Sequence, residues 1–179
     1  MKILKYSLAV IAILLAIFLL LAFFAPNRYS VERQVTIKKS KQEVFDYIVL
    51  LKNQDNFSVW ANMDAQMKKT YKGEDGKVGF VSAWESKLDD VGKGEQEILK
   101  IVGNERIEYE LRFIEPFEAN DLAYMQLSEI SPTETTVTWG FKGEMAFPMN
   151  IFLLFMDMEK QLGGDLQKGL DNLKTVLEK

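Results

Sequence analysis

The sequence contains neither cysteine nor histidine, and these two absences exclude much of enzyme chemistry. Without cysteine the chain forms no disulfide, offers no thiol nucleophile and supplies no thiolate ligand for zinc. Without histidine it has no Ser-His-Asp triad, no imidazole metal ligand and no imidazole proton shuttle. Catalysis would have to rely on carboxylates, tyrosine, lysine, arginine or serine.

Basic residues are in the minority once the N-terminal region is set aside. The chain carries 22 Lys and Arg against 26 Asp and Glu, and Lys2, Lys5 and Arg28 are the only charged residues before Tyr29. Subtracting these three leaves 19 basic against 26 acidic residues, a net charge of −7. Because nucleic-acid phosphates are bound mostly by Lys and Arg, this acidic remainder predicts no nucleic-acid partner.

Two acidic turns contain the pairs Glu74-Asp75 and Asp89-Asp90. A calcium loop needs several oxygen ligands at set offsets and a terminal bidentate Glu, and neither turn has that spacing. We interpret both as solvated turns, and the sequence predicts no metal site.

A long segment without charged residues lies between Tyr6 and Ala25. About 20 apolar residues in a helix cross a bilayer core of about 30 Å, so this segment predicts a transmembrane helix. A cleaved signal peptide is the alternative, but its apolar core is usually about 7–15 residues and ends in a small-x-small site. Ala22-Phe-Phe-Ala25 does not match that site, so we expect an uncleaved anchor over residues 1–28 and one domain over residues 29–179.

The side of the membrane is predicted from the flanking charges. Lys2 and Lys5 favour a cytoplasmic N-terminus, whereas Arg28, Arg33 and the lysines at 38, 39 and 41 oppose it. The prediction is a single-pass membrane protein whose soluble domain is extracytoplasmic.

Alternating and helical patterns then follow one another along the domain. Residues 29–37 alternate as a half-buried strand, and Ser40-x-x-Glu43 forms a capping box that opens a short amphipathic helix. Five or six further strands are separated by glycine-containing turns, and the apolar phase of the penultimate strand is assigned to Leu122, Tyr124 and Ile130. From Pro148 onward the period is helical, which predicts one long C-terminal helix.

This order of elements carries a recognisable set of motifs. They are Phe57-x-x-Trp60, Tyr71-x-Gly73, Gly76-x-x-Gly79, Trp84, Gly92-x-Gly94, Pro116-Phe117, Thr136-x-Thr138-Trp139 and Gly169-Leu170-x-x-Leu173-Lys174. Over residues 29–179 the chain resembles the START-like SRPBCC superfamily, in its polyketide cyclase/dehydrase-like branch. The resemblance implies an α+β helix-grip fold, in which a curved antiparallel sheet of six to seven strands surrounds the C-terminal helix.

The resemblance also implies a hydrophobic cavity between the sheet and that helix, with no cofactor and no dedicated catalytic residue. Glu85 is the carboxylate nearest to the motif tryptophans, but alternation places it on the solvated face, opposite Phe80 and Trp84. Large apolar residues on a concave face are core residues by default, and only some of them line open space. The residues carried over as cavity lining are Trp60, Phe80, Trp84, Tyr109, Phe113, Tyr124, Trp139, Phe155 and Met156.

Three functions are compatible with these features. The first is a membrane-tethered binding domain for a hydrophobic small molecule or lipid. The second is a polyketide cyclase or aromatase-like enzyme, and the third is an interaction or stress-response module whose interior is filled by its own side chains. The uncharged segment 145–156 has two interpretations as well, either the buried start of the long helix or a pocket mouth or edge in contact with the membrane.

Overall fold

The computed structural model describes residues 2–179. Its regular elements comprise three α-helices and seven strands, with three short 3-10 helices at residues 51–56, 60–62 and 149–154. In chain order they are α1 (Lys2–Phe24), β1 (Arg28–Ile37), α2 (Lys41–Ile48), β2 (Lys68–Lys72), β3 (Val81–Glu85), β4 (Lys93–Val102), β5 (Arg106–Glu115), β6 (Ala119–Ser131), β7 (Glu134–Glu144) and α3 (Met158–Leu177).

All seven strands form one antiparallel sheet in the order β1-β7-β6-β5-β4-β3-β2. Helix α3 packs on the face that carries Val31, Ile107 and Val137, and its buried residues Leu170 and Leu173 complete the core there. This is the helix-grip architecture, so the predicted fold is confirmed.

Helix α2 begins where the capping box predicts. The backbone N–H of Glu43 donates to the Ser40 hydroxyl, and the Glu43 carboxylate accepts from the Ser40 backbone N–H. Two of the otherwise free amides at the start of the helix are thereby satisfied. The helix buries Val44 and Ile48 in the core.

The predicted phase of β6 is wrong by one residue. Met125 pairs with Ile107 on one side and with Trp139 on the other, and it is fully buried. Leu122 and Ile130 are instead exposed on the outer face. Both faces of this strand carry apolar side chains, so alternation alone does not distinguish them, and the register with β5 and β7 decides which face is inside.

The predicted start of the long helix at Pro148 is also wrong. Residues 149–154 form a 3-10 helix, and α3 starts only at Met158, where the Asp157 side chain accepts a hydrogen bond from the Lys160 backbone N–H. The helical pattern that begins at Pro148 is therefore split between two elements, and Phe152 is 45% exposed.

Helix α1 is long and apolar enough to span a membrane, and among residues 2–179 it is the only such helix. A signal sequence near an N-terminus would pass the same test. Its last turn contacts the domain: Ala22 is fully buried, and the Asn150 side-chain amide donates to the carbonyl oxygens of Ala22 (2.7 Å) and Ala25 (3.1 Å). We refer below to the α1 end of the sheet, which comprises the starts of β1, β2, β4 and β6 and the ends of β3, β5 and β7.

Candidate functional site

A cavity of about 270 Å³ lies between the concave face of the sheet, the first half of α3 and residues 51–67. Most of its strand residues belong to the halves of the strands that lie toward the α1 end of the sheet, as Trp84, Phe113 and Phe141 illustrate. Leu162 and Leu166 of α3 close the opposite side. The cavity is thus a gap in the core beneath the first half of α3, while Leu170 and Leu173 in the second half are fully buried.

Aromatic rings form most of the apolar wall. The rings of Trp60 and Trp139 meet edge to face with centroids 5.9 Å apart, and those of Trp84 and Phe113 do the same at 5.9 Å. The Trp84 indole N–H donates to the Val91 carbonyl oxygen at 3.2 Å, which holds this ring in the wall. All three tryptophans of the chain therefore line the cavity.

Two glycines make room for these indoles. A Cβ on Gly94 would lie 2.5 Å from the Trp84 ring, and a Cβ on Gly169 of α3 would lie 2.8 Å from the Trp139 ring. Both distances are shorter than any van der Waals contact. The glycines at 94 and 169 are thus required by close packing against the cavity wall.

A polar group interrupts the apolar wall on one side. The Lys69 ammonium lies 2.7 Å from the Asp55 carboxylate and also donates to the Ala61 carbonyl oxygen at 2.9 Å. Gln96 and Ser82 line the cavity on the neighbouring strands. A wall with one polar side suits an amphiphilic ligand, whose apolar part contacts the aromatic rings and whose polar group faces the strands β2 to β4.

Four of the nine predicted lining residues line this cavity: Trp60, Trp84, Phe113 and Trp139. Phe80 and Tyr109 face the same side of the sheet but lie in the closed part of the core. They flank Ile98, which pairs with Tyr109 and is bonded through its backbone to Phe80, and all three side chains are almost fully buried. Burial raises the pKa of the Tyr109 phenol.

Tyr124 does not reach the cavity, because the corrected register of β6 puts it on the outer face. There its hydroxyl donates to the Glu32 carboxylate, and the Arg106 guanidinium lies 3.7 Å from its ring centroid. Its burial, together with that hydrogen bond, raises the pKa of Tyr124 to about 12. Gly140 leaves the space that the ring occupies.

Phe155 and Met156 are also outside the cavity. They lie in the loop between the 3-10 helix 149–154 and α3, and Phe155 is 78% exposed. Both line a separate open groove of about 520 Å³ between the start of β1 and this loop, next to the end of α1. The delayed start of α3 is the reason, because a helix continuous from Pro148 would have carried both residues inward.

The sequence pattern did not predict the polar side of the cavity wall at Lys69, nor the hydrogen bonds that the Asp75 carboxylate accepts close by. Lys69 was missed because β2 is mostly polar on both faces. The sequence predicts that the turn at Asp75 is solvated, and for Asp75 this is wrong. Its carboxylate accepts hydrogen bonds from the backbone N–H groups of Leu51 (2.7 Å) and Lys52 (3.3 Å). Within residues 2–179, no group of three or more carboxylates is arranged to hold a metal ion.

A buried carboxyl group near the α1 end of the sheet was missed as well. Asp121 is 7% exposed and accepts a hydrogen bond from the Glu144 backbone N–H at 3.3 Å. Burial raises the pKa of Asp121, and burial together with the charge of Asp121 raises the pKa of Tyr29 to about 12. In the sequence, Asp121 is recognisable only as a polar residue that points to the same face of β6 as the buried side chains. That face is known only once the register of β6 is known.

The family model described as polyketide cyclase/dehydrase and lipid transport matches residues 28–178, nearly the whole chain after α1. The chain belongs to the polyketide cyclase/dehydrase and lipid transport family. Family membership accounts for a cavity with mainly apolar walls, and the description covers both ligand carriers and enzymes, so it does not decide between them. A search of the curated proteins found no match.

Solved structures share the fold of this family member at low sequence identity. The protein CV1439 of Chromobacterium violaceum is 14% identical with a TM-score of 0.57, over 84% of this chain and 97% of that one. The Mll3558 protein of Rhizobium loti is 17% identical with a TM-score of 0.59, over 83% and 96%. The Aha1 protein of Colwellia psychrerythraea, solved as a dimer, is 14% identical with a TM-score of 0.56, over 84% and 96%. At these identities the likeness shows the fold alone.

Proposed function

We propose that this chain is a membrane-anchored binding domain that holds a hydrophobic small molecule or lipid without transforming it. The observation that carries the proposal is the open cavity of about 270 Å³ walled by the three tryptophans, Phe113 and Phe141. Ligand pockets usually measure about 300–1,000 Å³, so this one suits a small or single-chain ligand better than a two-chain phospholipid. An open cavity counts against an interior filled entirely by its own side chains.

The anchor gives the cavity a source of apolar ligand. Residues 25–27 alone separate α1 from β1, so the cavity is held within one domain diameter of the bilayer. Exposing an apolar molecule to water costs about 25 cal/mol for each Å² of apolar surface, so a cavity close to the bilayer favours transfer if the ligand is never fully exposed on the way. The contact of Ala22 with Asn150 supports an uncleaved anchor, because residues 22–25 are then part of the folded unit.

Tryptophan fluorescence provides the test, because every tryptophan lines the cavity. The full chain in phosphatidylcholine nanodiscs would be titrated with a fatty acid or fatty alcohol brominated on its chain, since bromine quenches indoles at contact. We expect saturable quenching in the wild type and little in Ala123→Phe, which fills the cavity. Leu122→Phe, the adjacent exposed residue on the outer face, is the matched control and should quench like the wild type. Equal quenching in both variants, or none in the wild type, would contradict ligand binding.

An enzyme of the cyclase or aromatase type is the second candidate, and one observation favours it. Asp55 and Lys69 of the cavity wall are hydrogen-bonded to each other, and the Tyr71 hydroxyl lies behind them, 3.4 Å from the Asp55 carboxylate. Burial and the charge of Asp55 raise the pKa of Tyr71, so its hydroxyl stays protonated and can donate a hydrogen bond. Mass spectrometry of bound ligand before and after incubation separates the two functions: an unchanged ligand supports a carrier, and a product lost in Asp55→Asn supports an enzyme.

We also propose that the domain is extracytoplasmic. The chain has no cysteine, so a single Ile130→Cys substitution at an exposed site introduces a unique label. A maleimide that does not cross membranes should label it in intact cells, and should label Lys2→Cys only after lysis. The reverse pattern would place the domain in the cytoplasm. The intact mass of the membrane-bound chain tests cleavage, since a chain that begins after Ala25 would be a processed one.

A further inference from the structure

An exposed apolar surface lies beside the last turn of α1. It belongs to the uncharged segment 145–156, and five of its side chains are 45–78% exposed: Phe147, Met149, Phe152, Leu154 and Phe155. Contiguous exposed apolar groups of this kind mark interaction surfaces in soluble domains. We call these five residues the apolar surface.

Asn150 fixes the position of the apolar surface relative to α1. It is the one polar side chain in the segment, it is 3% exposed, and its amide is bonded to the carbonyl oxygens of Ala22 and Ala25. Ala22 lies in the last turn of α1 and Ala25 directly follows the helix, so neither carbonyl oxygen has a backbone donor within the helix. The segment thus uses its only polar group to bind the helix, and what it presents outward is apolar.

The chemistry of the surface identifies its partner. If α1 spans a bilayer, its last turn lies near the membrane interface, where Phe23 and Phe24 are exposed, and a segment bonded to that turn lies at the same level. The surface offers no charge for a charged protein partner, and the domain as a whole is acidic, so attraction to anionic headgroups does not explain it. Apolar side chains at the interface are stabilised by contact with lipid, as in interfacial amphipathic helices.

We propose that the apolar surface docks onto the bilayer that contains α1 and inserts Phe152 and Phe155 among the lipids. The inference rests on the proposed anchoring by α1. It adds that the domain does not swing freely on its anchor: two attachments hold the α1 end of the sheet, and with it the cavity half of the core, against the membrane.

Site-directed spin labelling tests this docking on the full chain. Single cysteines would be introduced by Phe152→Cys, Phe155→Cys, Ile130→Cys and Leu14→Cys, labelled with a nitroxide and reconstituted in phosphatidylcholine vesicles, with intrinsic fluorescence as the check of folding. The measurement is the accessibility of each label to oxygen, which concentrates in lipid, relative to a water-soluble nickel chelate. Ile130 is the matched aqueous control, because it is 61% exposed at the opposite end of β6.

We expect the oxygen-to-nickel ratio at residues 152 and 155 to be several-fold higher than at 130, and to stay so when phosphatidylglycerol is added. If the labels at 152 and 155 have the low ratio of a water-exposed site while the label at 14 has the high ratio of a lipid-exposed site, the docking is overturned and the anchoring is not. Aqueous ratios at 14 as well would overturn both. Spin–spin broadening between labels at 155 without oxygen access would overturn it in favour of contact between two copies.

Discussion

Arg33 of the edge strand β1 and Glu159 in the first turn of α3 are joined by two hydrogen bonds. The guanidinium lies 2.7 Å from the Glu159 side-chain oxygen Oε2 and 3.2 Å from its carbonyl oxygen. Gly163 is one turn further along α3, and a Cβ there would lie 2.0 Å from the guanidinium nitrogen Nη2. The bare backbone of Gly163 therefore lets a charged group lie across the helix beside the cavity.

The adjacent glycines 163 and 164 allow a matched test of this packing. Gly164 is exposed, and a Cβ there meets nothing within 4 Å, so Gly164→Ala should stabilise the domain by about 0.5–1 kcal/mol through helix propensity. Gly163→Ala has the same propensity gain but displaces the flexible end of Arg33 from a partly exposed ion pair, which costs about 0–1 kcal/mol, so we expect little or no net stabilisation. Thermal unfolding followed by tryptophan fluorescence measures both, and equal stabilisation by the two substitutions would contradict the close approach.

Asp75 links the β2–β3 turn to residues 51–56. Asp75→Ala removes the acceptor for the Leu51 and Lys52 backbone amides, and we expect it to destabilise the domain by about 1–2 kcal/mol, as loss of a helix cap does. Asp75→Asn, which retains one acceptor oxygen, should cost less. Glu74→Ala in the same turn is the control, because Glu74 is exposed. Unfolding temperatures of the three variants provide the measurement, and a loss at Glu74 as large as at Asp75 would refute the cap.

Asp55 should tune the kind of polar group that the cavity accepts. In the wild type the Lys69 charge is already paired with Asp55, so a ligand carboxylate gains little from it. Asp55→Asn leaves Lys69 unpaired and should improve the affinity for a fatty acid relative to the matching fatty alcohol by about tenfold or less, since the pair is partly exposed. Fluorescence titration with both ligands measures the ratio, and Asp171→Asn on the exposed side of α3 is the control. An unchanged ratio would exclude Lys69 from ligand recognition.

Asp121 should make stability depend on pH. Its pKa is raised by burial, so above the ordinary value of 3.8 the folded state binds more protons than the unfolded state. Stability contributed by the neutral carboxyl is therefore lost as the pH rises through this interval. Asp121→Asn keeps an acceptor for the Glu144 amide and removes the ionisation. The unfolding temperature of the variant minus that of the wild type should therefore increase as the pH rises from 3.8 through the raised pKa. The exposed control Glu118→Gln should show no such gain, and a constant difference for Asp121→Asn would refute the prediction.

Several elements were predictable because neighbouring residues alone decide them. The capping box at Ser40 and Glu43 predicts the start of α2, and the alternation over residues 29–37 predicts the strand β1. The capping box is a contact between residues three positions apart, and the strand has one clearly polar face, so both can be read from neighbouring residues. The fold followed from the order of such elements together with the family motifs.

The cavity lining was predictable only in part. Trp84 and Trp139 lie on the concave face of the sheet, as their motif positions suggest. Tyr124 does not, because both phases of β6 are apolar and pairing with β5 and β7 chooses between them. Phe155 is outside because α3 begins ten residues after Pro148 rather than at it. Neither outcome depends on nearby residues in the chain.

By itself, the sequence determined which chemistry is absent, which segment is suited to a membrane and which class of fold the domain adopts, because composition and local periodicity are properties of the chain alone. The tertiary structure decided which large side chains border open space. That choice depends on strand register and on where α3 begins, since these set how far the helix approaches the sheet and so where the core contains a gap. It also brought Asn150 to the end of α1 and Lys69 to Asp55, pairs that only the folded chain places in contact.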